Sequence, residues 1–149
     1  MISNPISVRV GRRFAAPPKR VFDAWLDAGT AGDWLFATPD GEMIQVEIDP
    51  RPGGHFHIVE RRGGQDVAHH GVYVTMDPPC TLAFDLTVSA AGEAATRVTV
   101  EVAPDGEGAA LTLTHQIDPA WADFAERTAQ GWARVLEALA RSLGEAPSP

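Results

Sequence analysis

Cysteine, lysine and tyrosine each occur once in 149 residues. No run of apolar residues approaches the roughly 18 that a membrane span requires, so a membrane partner is not expected. A lone Cys80 cannot close an intrachain disulfide, so nothing marks the chain for an oxidising compartment and a reducing cytoplasm is the expected location. The stretch from Met1 to Val10 lacks the basic run and apolar core of an export signal. Positive charge is also scarce: 12 basic against 20 acidic side chains leave a formal net charge of -8, the wrong sign for holding phosphate backbones. Nucleic acid is therefore excluded as an expected partner. Apart from Arg12-Arg13 and Arg61-Arg62 the arginines are scattered, so no polybasic patch addresses anionic lipid. Gly-x-Ser-x-Gly, a phosphate loop and a dinucleotide fingerprint are all missing, and nothing calls for a cofactor.

What remains is an ordinary globular composition, 44% hydrophobic and 21% charged. A chain of this length fits one domain, expected over residues 1–144 with a disordered tail at 145–149. Turn signals at Pro39-Asp40-Gly41, Arg51-Pro52-Gly53-Gly54, Gly63-Gly64, Asp77-Pro78-Pro79, Ala91-Gly92 and Pro104-Asp105-Gly106 cut the middle of the chain into strand-length pieces. Period-two alternation marks Ile44/Val46/Ile48, Phe56/Ile58, Val72/Val74, Leu82/Phe84/Leu86, Val98/Val100/Val102 and Leu111/Leu113/His115/Ile117. Connections too short for crossover helices predict a six-stranded antiparallel meander, and Ile6, Val8 and Val10 predict a seventh strand.

Two segments change to helical period. Pro17-Pro18 opens a helix carrying Val21, Phe22, Trp25 and Leu26, which Gly29 is expected to end, and Thr30 is expected to cap a short second helix reaching Trp34 and Leu35. Asp118 is placed to cap a long helix from Pro119 to Leu143, with Trp121, Phe124, Thr128, Trp132, Val135, Leu136, Leu139 and Leu143 on one stripe. Such a helix would be about 37 Å long and could cross the whole sheet.

This order of elements resembles the α+β helix-grip fold of the START and Bet v 1-like superfamily, which includes the polyketide cyclase-related proteins. Phe14-Ala15-Ala16-Pro17, Val21-Phe22-Asp23-Ala24-Trp25, Asp33-Trp34, Asp49-Pro50-Arg51-Pro52-Gly53-Gly54-His55-Phe56, Gly71, Pro79, Leu82-Ala83-Phe84, Leu111-Thr112-Leu113-Thr114-His115 and Gly131-Trp132 are similar to the branch named after the activator of the heat-shock-protein-ninety ATPase. The resemblance runs from Ile6 to Leu143. It implies a curved sheet gripping the terminal helix, with a hydrophobic pocket between them.

Under that arrangement Trp25, Trp34, Phe36, Phe56, Ile58 and Phe84 would line the pocket from one side. Leu86, Leu113, Trp121, Phe124 and Trp132 would complete it, and walls of this kind suit an apolar or aromatic small molecule. The competing reading of each aromatic is plain core packing. His115 continues the parity of Leu113 and should point inward, toward the start of the long helix; it could serve a ligand or a proton transfer, or simply bond backbone near Trp121. His70 shares parity with Val72 and Val74 and is expected inside, with His69 outside. His55 and His57 fall on one outer face, where His69 is a conceivable third metal ligand, although a solvated face explains them equally well and no metal is expected. Glu60 has the parity of Ile58 and could enter the cavity mouth. Gly131, costly within a helix, implies close helix–sheet approach, room for a ligand or a kink.

Three functions stay open. One is binding of a small apolar or aromatic molecule without covalent chemistry, with no catalytic residue assigned. A second is a cyclase, dehydratase or hydrolase using pocket histidines, and a third a stress-related or chaperone-linked interaction domain. Self-association as a homodimer is left open.

Overall fold

The computed structural model describes residues 6–88 and 95–145. The expected turn at Ala91-Gly92 and the tail beyond Glu145 lie outside them. Glu145 itself, expected in the tail, lies against Arg12, with 3.7 Å between carboxylate and guanidinium.

Seven strands, β1 (Ile6–Phe14), β2 (Glu42–Ile48), β3 (His55–Arg62), β4 (Gln65–Asp77), β5 (Thr81–Val88), β6 (Thr96–Asp105) and β7 (Gly108–Ile117), form one antiparallel sheet. Their order is β1-β7-β6-β5-β4-β3-β2, the meander closed at one end by β1 against β7. The β6–β7 hairpin turns at Asp105-Gly106, where Gly106 adopts φ +62°, as its turn type demands.

Two helical pieces follow β1: α1 (Pro18–Ala24) and the single turn α2 (Ala28–Ala31). Their boundaries differ from expectation. Gly29 lies within α2, and Asp27 is the cap, its carboxylate accepting from the Gly29 N–H at 2.9 Å and from the Thr30 hydroxyl at 3.2 Å. An acidic side chain one residue before the turn outcompetes the hydroxyl of Thr30 for the free N–H groups.

The carboxy-terminal rod is likewise two pieces. Asp118 caps as expected, accepting from the Ala120 N–H at 2.9 Å. Residues Pro119–Phe124 then form a 3₁₀ turn, broken at Trp121 (φ -102°, ψ 17°), and only Ala125–Ser142 is the α-helix, α3. Three residues per turn do not keep Trp121 and Phe124 in line with the 3.6-period stripe of α3. Both are exposed, at 48% and 42%, and pack on each other with centroids 5.4 Å apart. Neither borders the cavity that opens beside α3.

The buried stripe of α3 is Trp132, Leu136, Leu139 and Ala140. It seats on a core that includes Phe14, Trp25, Trp34, Val98, Leu111 and Leu113. One flank of α3 is tied to β1: the Arg12 Nε–H donates to Glu137 at 2.9 Å.

Two strands depart from their expected faces. In β2 the register shifts between Met43 and Gln45, so Met43, Val46 and Ile48 pack on the core while Ile44 is 41% exposed. In β4 the alternation runs unbroken from His69 to Val74, with His69, Gly71 and Tyr73 inward and His70 and Val74 outward; the register shift between Tyr73 and Thr75 comes after them and brings Met76 onto the core face. The expectation that His70 faces inward and His69 outward is therefore reversed. Gly71 occupies an inward place because Phe56 fills it: a Cβ there would come within 2.7 Å of the Phe56 ring and 1.9 Å of the Asp85 carbonyl.

Candidate functional site

A cavity of about 830 Å³ opens along the other flank of α3, away from β1. Its floor is Leu86 and Val88 of β5 with His69 of β4, its far wall is residues 36–39 after α2, and its helical wall runs from Thr128 to Arg141. Trp132 and His115 meet at its inner end.

Gly131 lies on that wall, and a Cβ added there would meet no atom within 4 Å. Close packing of helix on sheet therefore does not explain this glycine. The residue costs ~1 kcal/mol of helix stability relative to alanine and leaves open space in the cavity.

Phe36 forms the opposite wall in the left-handed region, φ +59°, a conformation that a bulky side chain rarely adopts. Its surroundings hold it there. The Arg62 Nη2 group donates to the Phe36 carbonyl at 3.0 Å, and the Phe36 ring stacks on His69 with centroids 4.1 Å apart and planes 8° from parallel. Beside it, Glu60 accepts from the Thr38 N–H at 2.7 Å and the Thr38 hydroxyl at 2.9 Å, and pairs with the Arg62 guanidinium. Burial pushes the Glu60 carboxyl up, but the bonds from Arg62 and Thr38 outweigh it and hold the group below the usual carboxylate range. Glu60 is 1% exposed and lies so close to Gly41 that a Cβ there would come within 2.2 Å of its carboxyl carbon. Rather than entering the cavity mouth, Glu60 fastens the wall behind it.

The two histidines of the cavity are electrostatically alike and differently bonded. His115 is pushed down to about 4 by burial. The Trp132 indole N–H, which can only donate, reaches its Nδ1 at 3.0 Å. That assignment puts the imidazole proton on Nε2, 2.7 Å from the Thr96 hydroxyl. Both ring nitrogens of His115 are thus used in joining β7, β6 and α3, rather than in a backbone bond near Trp121. His69 is also pushed to about 4, by burial first and then by the Arg62 charge, against the opposing pull of Glu60. Its Nδ1 has no hydrogen-bond partner among the described residues.

Of the sequence candidates, Phe36, Leu86, His115 and Trp132 border the cavity. Trp25 and Trp34 are buried in an edge-to-face pair 4.9 Å apart; Trp25 lies 6.5 Å from Trp132, and neither borders the space. Phe56, Ile58, Phe84 and Leu113 are core residues outside its lining. His70 is exposed on the far face of the sheet, its ring 6.0 Å from His57. With His69 on the opposite face, the suggested metal ligands His55, His57 and His69 do not converge, and no group of three metal-ligating side chains occurs among the described residues. Sequence reading missed His69, Arg62, Val88 and the Thr38–Glu60 bonds. The signal for His69 was Gly71, which shares its face two residues on.

No helix among the described residues is long and apolar enough to cross a membrane. Residues 15–144 match the family described as Activator of Hsp90 ATPase homolog 1-like protein. No curated protein matches significantly. Among solved structures, protein CV1439 from Chromobacterium violaceum is 28% identical with a TM-score of 0.76, over 91% of this chain and 94% of that one. A protein from Rhizobium loti is 26% identical with a TM-score of 0.76, over 93% and 96%. At 21% identity, CalU16 from Micromonospora echinospora shares the fold, with a TM-score of 0.70 over 93% and 76%. The helix-grip architecture and a family match over most of the sequence establish that this chain belongs to the Activator of Hsp90 ATPase homolog 1-like family of the START/Bet v 1 superfamily.

Proposed function

We propose that the protein binds a small apolar or aromatic molecule in the cavity beside α3 and performs no covalent chemistry on it. The observation that carries this reading is the undersized helix wall, where Gly131 faces open space in a cavity of about 830 Å³. Sites for small ligands occupy ~300 to 1,000 Å³ and are mostly apolar with a few placed polar groups. The left-handed Phe36, braced by Arg62 and stacked on His69, supports the same reading, because backbone strain gathers where a fixed wall is needed.

The bonding of the histidines argues against catalysis. His115 would have to release Trp132 or Thr96 before moving a proton, and an imidazole held at about 4 is a weak base near neutral pH.

The test is titration with the uncharged fluorophore N-phenyl-1-naphthylamine. One saturable site is expected in the wild type and its loss in Gly131→Leu, whose side chain would fill the space while the helix stays folded by circular dichroism. Equal saturation of both proteins would refute the assignment.

A further inference from the structure

We infer that the ligand is an amphiphile carrying a single carboxylate, whose apolar body lies on Leu86, Val88 and Trp132 and whose charge is held at the mouth by Arg134 and Arg141. This rests on the cavity being the binding site.

The sequence as a whole has a net charge of -8, yet the charge on the cavity wall reverses sign. Five charged side chains border the space, Arg62, Arg134 and Arg141 against Asp33 and Glu137. Two of them are already matched: Arg62 by the buried Glu60, and Glu137 by Arg12. Arg134 and Arg141 form no ion pair among the described residues. They stand seven residues apart, two turns of α3, about 10 Å along one side. Gly131 and Ala138 leave the wall low beside the two arginines, and Glu137, which lies between them in sequence, is held by Arg12.

Deeper in, the charge of Arg62 is matched by Glu60. His69 and His115 are neutral at pH 7, and the remaining floor is Leu86 and Val88. A ligand suited to both regions carries its charge at one end only. Guanidinium groups bind carboxylates through paired, charge-assisted bonds. Asp33, which also borders the space, disfavours a dianion and so favours a singly charged group over a phosphate monoester.

The probes are 1-naphthylacetate and its uncharged counterpart 2-(1-naphthyl)ethanol, each competed against N-phenyl-1-naphthylamine on the full chain. The carboxylate is expected to bind about tenfold more tightly, with an advantage that shrinks in 0.5 M NaCl, and R134Q/R141Q is expected to bring the ratio to about one. Equal affinities in the wild type, or a preference that persists in the double variant, overturn the inference while leaving the cavity assignment intact. Failure of both compounds to displace the fluorophore at Trp132 overturns the assignment and the inference together.

Discussion

The two flanks of α3 meet the same sheet in opposite ways. Toward β1 the helix is closed down, with Arg12 bonded to Glu137 and Glu145 folded against Arg12. Toward β4 and β5 it stands away from Leu86, Val88 and His69, across a space that Gly131, Val135 and Ala138 are too small to fill. One flank stabilises the fold and the other leaves the cavity open. Amphipathic pattern does not separate them: both flanks read as the edge of one apolar stripe, and only residue size tells them apart.

The difference should show most strongly in truncations. Leu136, 1% exposed under the helix, should cost about 2 to 5 kcal/mol on replacement by alanine, whereas Val135→Ala on the open flank should cost under about 1 kcal/mol. Urea denaturation checks both, and equal losses would mean that the open flank is packed after all.

Acidification comes next. Folded His69 and His115 sit at about 4, below the ~6.5 of an unfolded imidazole. Between those values the unfolded chain binds protons that the folded chain refuses, so stability is full above about pH 6.5 and falls as the pH drops toward 4. The loss should be on the order of 2 to 3 kcal/mol for each histidine. An unfolding midpoint that stays level from pH 7 to 4.5 would contradict the burial of both rings.

A smaller effect distinguishes the two histidines. His115→Phe orphans the Trp132 indole and the Thr96 hydroxyl and should destabilise by about 1 to 3 kcal/mol. His69→Phe keeps a ring on Phe36 and removes a nitrogen that has no partner among the described residues, so it should be neutral or stabilising by up to about 1 kcal/mol. Thermal unfolding separates these outcomes, and a large loss for His69→Phe would show that its nitrogen is satisfied. Smallest of all, Gly131→Ala should raise stability by up to ~1 kcal/mol, because the added methyl meets nothing. A destabilised Gly131→Ala would place a neighbour where the cavity now lies.

Much of this architecture was legible in the alternation of apolar residues. The meander from β2 to β7, the β6–β7 hairpin and the inward turn of His115 follow from period two and short connections, whereas the pairing of β1 with β7 does not. The pattern fails where apolar residues occupy the outer face: Val72 and Val74 carry the apolar bias of β4, yet His69 and Tyr73, on the opposite parity, are buried. It fails again at Trp121 and Phe124, whose spacing fits an α-helix that the chain has not yet entered. The bracing of Phe36 by Arg62, and of Thr38 by Glu60, joins residues more than twenty positions apart through side-chain bonds that no periodicity encodes.

The most direct test of the open flank is to locate N-phenyl-1-naphthylamine by intermolecular nuclear Overhauser effects. A cavity open at Gly131 predicts contacts from the probe to the Trp132 indole and to the methyl groups of Leu86 and Val88. Contacts confined to the exposed Trp121–Phe124 pair, with none to Trp132, would contradict it.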